Sequence, residues 1–204
     1  LRFPNSNIIA FDLSCSSVAY GLRKSEELGI KNIKFMIGDI LELKSINKTF
    51  DIIECSGVLH HMKNPTYGFE ILSNLLKKHG LMKISLYSEY GRRNINIAKK
   101  IIQKAHLKTT RDDILKFRNY VIDVDDEILN PLMIWNDFFS TSELRDLLFH
   151  SMEHQFNLLK INEMISKSKL DFIGFELLDQ KKFNDFTKIY GIDKLYSLRE
   201  WHDH

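Results

Sequence analysis

Ile8-Ile9-Ala10-Phe11-Asp12-Leu13-Ser14 is the stretch that decides the fold. Four apolar residues run without a polar break and stop at an acid, the pattern of a strand covered on both faces. Ser14 then offers a side chain that can cap a helix, and Gly29 the residue that ends one. Between them Val18, Leu22 and Leu28 are expected to face the sheet. The pattern recurs downstream. Ile33 to Ile37 reads as a second strand closed by Gly38-Asp39, and Phe50 to Cys55 as a third followed by the turn Ser56-Gly57. Asn64-Pro65 opens a helix, since the Asn side chain caps and proline's missing N–H costs nothing at the first helical position. That helix is expected to run through Phe69, Leu72, Leu75 and Leu76 to Gly80, with Leu81 to Tyr87 as a fourth strand. Strands alternating with helices of ~10–15 residues imply right-handed crossovers. The fold class is therefore α/β, a Rossmann-like, mostly parallel sheet with helices on both faces.

The second half changes character. Residues 94–139 are helix-biased and charged, with Trp135, Phe138 and Phe139 as large apolar anchors. Ser140-Thr141-Ser142-Glu143 is a capping box opening a helix through Leu144, Leu147 and Leu148. A further helix is expected over 158–168. Leu170 to Leu177 alternates like a strand, and no strand pattern follows from Asp179 to His204.

Composition narrows the function. The 204 residues are 44% hydrophobic and 27% charged, ordinary for one globular domain. A net charge of +2 gives no broad nucleic-acid footprint. Apolar runs fall far short of the ~20 residues of a membrane helix, and two cysteines make no disulfide framework. No leader-like segment opens the chain, so the expected setting is the reducing cytoplasm, away from membranes.

Ligands of open parallel sheets bind at the carboxyl ends of strands. Those ends carry Asp12, Asp39 and Cys55-Ser56-Gly57, with His60-His61 one turn later. An acid at a strand end can accept two charge-assisted hydrogen bonds from a ribose diol, and a second acid at the next strand can accept an adenine amino proton. Either acid alone also suits a plain cap or turn.

Three stretches in this order resemble a class I S-adenosylmethionine-dependent methyltransferase: Ile8 to Ser14, Phe35-Met36-Ile37-Gly38-Asp39-Ile40, and Phe50 to Met62. The resemblance implies that Asp12, with Leu13 beside it, holds the ribose. It implies that Asp39 and Ile40 contact adenine, and that Cys55, Ser56 and Gly57 lie under the methionine end. Gly80-Leu81-Met82-Lys83-Ile84 is similar to the family's fifth strand. Phe139 to His150, Glu153-His154-Gln155-Phe156 and Phe172 to Phe175 look like the capping insertion of certain bacterial methyltransferases. The organisation implied is one partial domain over 1–204. Residues 1–90 would be its cofactor-binding part, 91–168 a helical lid, and 169–204 a late strand with a helical tail.

The cofactor implied is S-adenosylmethionine, the partner a small-molecule acceptor rather than nucleic acid. His60 and His61 are the candidate catalytic bases, since imidazole suits proton removal near neutral pH. Packing of one His and solvation of the other is the plainer reading. Tyr87, Ser88 and Glu89 suit an acceptor pocket or an ordinary strand exit. Arg92-Arg93 suits an anionic substrate, or more simply a surface charge pair. His150 and His154 are spaced for one helix face, but no third ligand accompanies them and no metal is expected. Cys55 reads as a small strand-end residue.

One departure from the family pattern is large. The family's glycine-rich first motif should stand ~15–25 residues before Asp12, yet only eleven residues precede it and no G-x-G occurs. The first and last strands are expected to be missing, and the chain to be a piece of a longer enzyme, inactive alone. Two alternatives compete. A nicotinamide dehydrogenase would also place an acid at Asp12, but has no use for Asp39 or the Ser-Gly-Val-Leu-His-His stretch. A non-catalytic binding module on the same fold is the other.

Overall fold

The computed structural model describes residues 4–150, 152–176 and 179–204. The four expected strands are present as β1 (Ile8–Asp12), β2 (Ile33–Ile37), β3 (Phe50–Ser56) and β4 (Leu76–Ser85). Helices α1 (Cys15–Glu27) and α2 (Pro65–Asn74) join them. Helices α3 (Arg93–Lys104), α4 (Arg111–Val124), α5 (Thr141–Phe149), α6 (Leu158–Lys167), α7 (Gln180–Tyr190) and α8 (Leu198–Asp203) follow. The mixed α/β class with parallel strands holds. Within it the strands pair two and two, β1 with β2 and β3 with β4. β1 and β2 are parallel, Ile8 opposite Ile33 and Asp12 opposite Ile37. In the other pair Asp51 meets Lys77 and Ser56 meets Ser85, so those strands also run the same way.

The chain divides into two compact units, Leu1–Ile53 with Glu70–Leu81, and Glu54–Phe69 with Met82–His204. In the first, α1 is capped as its sequence requires. The Ser14 side chain accepts from Ser17 N at 3.2 Å, and Gly29 at φ +66° takes the left-handed turn after the C-cap. The face it turns to the strands is not the expected one. Val18 is half-buried and Ser25 buried, whereas Leu22 is exposed and Leu28 is 72% exposed. A Cβ added at Gly21 would stand 2.6 Å from the Phe35 ring, so the helix approaches β2 along its small residues. β1 is likewise less covered than its apolar run suggests. Ile8 is exposed and Ile9 to Phe11 are half-buried, because α1 packs on one face only.

The boundary between α2 and β4 also differs from expectation. The Asn64 side chain accepts from Tyr67 N at 3.1 Å, as read, but α2 stops at Asn74. Phe50 N donates to Leu75 O at 2.8 Å and Lys77 Nζ lies 2.9 Å from both Asp51 oxygens. β3 thus draws residues 76–80 out of the helix into the strand. His79 takes φ +65° within the strand, and Gly80 lets the Asp51 carbonyl stand 3.0 Å from where a Cβ would be.

The second unit owes its core to α3, α4 and α5. Ile95, Ala98 and Ile102 meet Ile114, Phe117 and Val121, and Leu144, Leu147 and Leu148, joined by Leu129, Leu132 and Phe138. The spacing of three and four residues puts each set on one helix face. Ser140 accepts from Glu143 N at 3.5 Å, as the capping box requires. Of the three expected anchors only Phe138 is buried; Trp135 is partly exposed and Phe139 is 58% exposed. Residues 170–176 form no strand, and Leu177 lies outside the described residues. Alternation marks a half-buried surface, but a strand also needs a ladder partner, and this segment has none among the described residues. Beyond it Phe186 stacks on Trp201, centroids 3.7 Å apart and planes 9° from parallel.

Candidate functional site

In the first unit, the parallel register carries Asp12 and Asp39 to the carboxyl ends of adjacent strands. Asp12 pairs with Ile37, and Gly38 N donates to Asp12 O at 3.1 Å, which leaves Asp39 just beyond. Both acids also do the plainer job. Asp12 Oδ1 accepts from Ser14 N at 2.8 Å, and Asp39 Oδ1 accepts from Leu41 N at 2.9 Å, capping the 3₁₀ turn Ile40–Ser45. Each keeps its second carboxylate oxygen without a hydrogen bond among the described residues. Two fixed carboxylates, each with a free oxygen, fit the diol and amino donors of a nucleoside. Leu13 is 70% exposed and Ile40 half-buried, apolar neighbours for a base or sugar edge.

In the second unit, β3 ends in Cys55, Ser56 and Gly57. Cys55 is buried, and burial pushes its thiol up against a smaller opposing pull from the Leu59 backbone, so it stays protonated. Ser56 Oγ lies 3.1 Å from Ser85 Oγ across the ladder. Gly57 takes φ +75°, and a Cβ there would meet nothing within 4 Å, so bare backbone is presented at the turn.

His60 and His61 follow in the 3₁₀ turn Leu59–His61, with different surroundings. His60 is 1% exposed and stacks on Tyr87, centroids 3.7 Å apart. Burial, then the fields of His61 and Arg92, lowers its pKa to about 4, so the ring is neutral in the physiological range. Neither of its nitrogens makes a hydrogen bond of full geometry. His61 is half-buried, with Nδ1 3.1 Å from Met152 O and the ring beside His150 at 4.4 Å.

The structure corrects two expectations here. Arg92 is no surface charge. Its side chain is 5% exposed, its guanidinium lies 3.4 Å over the Tyr87 ring, and it pairs with the equally buried Glu153 at 3.1 Å. His150 and His154 do not share a helix face, because α5 ends at Phe149 and His150 is extended. Sequence reading missed Glu153. Nothing in Glu153-His154-Gln155 marks a buried carboxylate, and only the partners Arg92, Lys99 and Gln155 reveal it. Tyr87, Ser88 and Glu89 are a strand exit tied to Phe156 by backbone bonds, with Glu89 also paired to Lys160.

A family model described as a methyltransferase domain matches residues 1–131. The chain belongs to that family. The chain is 26% identical over 219 residues to an uncharacterized protein of Synechococcus sp., covering 97% of this chain and 50% of that one. It is 30% identical over 81 residues to a probable (S)-tetrahydroprotoberberine N-methyltransferase 2 of Papaver bracteatum, covering 40% of this chain and 22% of that one. PKMT2 from Rickettsia typhi, solved in complex with AdoHcy, shares the fold with a TM-score of 0.69 at 20% identity, covering 98% of this chain and 42% of that one. A second structure of PKMT2 from Rickettsia typhi matches equally, TM-score 0.69 at 17% identity, over 99% of this chain and 42% of that one. The chain thus spans half or less of the length of these relatives. The family match sets aside the dehydrogenase reading.

Proposed function

We propose that this methyltransferase domain binds S-adenosylmethionine and serves methyl transfer to a small-molecule acceptor. The observation that carries the reading is the placement of Asp12 and Asp39 at neighbouring parallel strand ends, each with a free carboxylate oxygen. Asp12, with Leu13 alongside, would hold the ribose diol through charge-assisted hydrogen bonds, and Asp39 with Ile40 the adenine edge. The family resemblance assigns Cys55, Ser56 and Gly57 to the methionine end. The cofactor supplies a methyl group on an already activated leaving group, so positioning does most of the work asked of the protein.

Where the acceptor must lose a proton, His61 is the base and His60 a buried neighbour that shapes the turn. A carbonyl oxygen only accepts, so the His61–Met152 contact keeps a proton on Nδ1 and leaves Nε2 open. The Papaver relative is named for methyl transfer to nitrogen of a small molecule, which favours an acceptor of that kind over nucleic acid. Residues 91–168 are assigned as the lid. No helix of the described residues is long and apolar enough to cross a membrane, and a cytoplasmic setting is part of this proposal.

The test is calorimetric titration of S-adenosylhomocysteine, with NADH as control, into this chain and into the longer protein. We expect binding by the longer protein, and a loss of about 1–3 kcal/mol, roughly 5- to 150-fold, on Asp12→Ala. Unchanged affinity in that variant would remove the ribose assignment. A folded longer protein that binds nothing would favour the non-catalytic module.

A further inference from the structure

His61 carries its proton on the less usual nitrogen. A solvated neutral histidine prefers the Nε2–H form, yet Nδ1 here faces the Met152 carbonyl at 3.1 Å and must donate to it. Something has to hold that carbonyl in place. The residues that follow Met152 are fastened at two points. His154 N donates to His60 O at 2.7 Å, Phe156 N to Tyr87 O at 2.8 Å, and Glu89 N to Phe156 O at 3.0 Å. Between Met152 and these fastenings the Glu153 side chain, 4% exposed, accepts from Arg92 Nη2 at 3.2 Å, Lys99 Nζ at 2.9 Å and Gln155 Nε2 at 3.0 Å, with Arg92 Nε 3.1 Å away as a charge contact. Arg92 in turn presses one face of Tyr87 while His60 covers the other. Carboxylate, guanidinium, the half-buried phenol and imidazole form one continuous chain of contacts ending at the residue next to His61.

We propose that residues 152–156 form a positioning strap, anchored by Glu153, that fixes His61 as the Nδ1–H tautomer and aims a bare Nε2 at an acceptor. Glu153 is a positioning residue, since it touches His61 only through the Met152 carbonyl one residue away. A buried carboxylate with two cations cannot shift without leaving charges unpaired, which is why it holds the strap more firmly than backbone bonds alone. The bare Nε2 takes the proton released by an N–H or O–H acceptor, and the imidazolium returns it to water. This use of the nitrogen rests on the methyl-transfer reading above; the tautomer does not.

The experiment is ring-nitrogen NMR of the full-length protein labelled with ¹⁵N-histidine, with His61→Gln assigning the signal. In the unmodified protein His61 is expected to show a protonated Nδ1 and an unprotonated Nε2. Glu153→Gln, verified as folded by its amide spectrum, is expected to lose that pattern for the Nε2–H form or a mixture. Glu153→Asp is expected to restore part of it. An Nε2–H tautomer in the unmodified protein would overturn the proposal, as would an unchanged tautomer in folded Glu153→Gln. If that variant fails to fold, the unmodified spectrum together with Arg92→Lys, which keeps the charge but loses the guanidinium's contacts with Glu153 and Tyr87, decides in the same way. Titration of S-adenosylhomocysteine into the unmodified sample separates the two readings. A correct tautomer without binding removes the cofactor assignment and leaves the strap.

Discussion

His60 is an ionisable ring held where its charge has no room. Its pKa of about 4 lies below the ordinary 6.5, so between those values the unfolded chain binds a proton that the folded chain refuses. Stability is therefore full above pH 6.5 and falls on acidification toward pH 4, by about 3 kcal/mol for a shift of this size. Glu153 adds to the loss below that. Burial raises its pKa, but Lys99, Gln155 and Arg92 together hold it under the usual range, so its contribution disappears as pH drops through that lowered value. Denaturant titrations at pH 7.5 and 4.5 check this, and His60→Leu should flatten the dependence because its nitrogens have no good partner to lose. A slope unchanged in that variant would place the proton elsewhere. At this scale the sequence was only partly legible. Asp12 and Asp39 could be named because a strand end fixes where an acid goes. Which of two adjacent histidines turns inward, and that Arg92 does too, depends on partners about sixty or more residues away along the chain, at Glu153, His154 and Met152.

Elements were read best where local chemistry sets their ends. Ser14, Asn64 and Ser140 cap the helices they were expected to cap, since a cap is decided within three residues. Reading failed where a neighbour outside the segment decides. β3 recruits residues 76–80 from the end of α2, and the alternating stretch after Leu170 finds no partner strand among the described residues. α1 shows the same limit in its packing, because a face of small residues leaves no hydrophobic mark. Gly21→Ala exposes the consequence. Helix propensity alone promises about 1 kcal/mol of gain, but the added carbon would meet the Phe35 ring at 2.6 Å. Overpacking of that order costs about 1–3 kcal/mol, so a net loss is expected in denaturant unfolding. Adding Phe35→Leu should recover part of it; a stabilised Gly21→Ala would mean that the helix stands off the strand.

Across the whole molecule, apolar burial is uneven. The α3–α5 cluster is closed around Phe117 and Phe138, while β1 and β2 leave Ile8, Met36 and Ile37 partly in water. Opening free energy follows buried contacts, so amides of Ile102, Phe117 and Val121 should exchange with deuterium more slowly than those of Ala10 and Phe35. The reverse order would put the stable nucleus in the α/β strands. The order of strands and helices was legible because apolar runs and caps repeat in sequence, whereas the grouping of strands in pairs is a matter of which edges meet. The bridge between Ser88 and Phe156 carries one more consequence. The chain leaves the strand exit at Glu89 and returns to it at Phe156, the two bonded at 3.0 Å, after folding three helices around a core of their own. A segment whose departure and return points touch can be lengthened, shortened or exchanged without moving the strand it departs from. Such a loop is a cassette, replaceable as a block while the strand exit that it leaves and rejoins keeps its place.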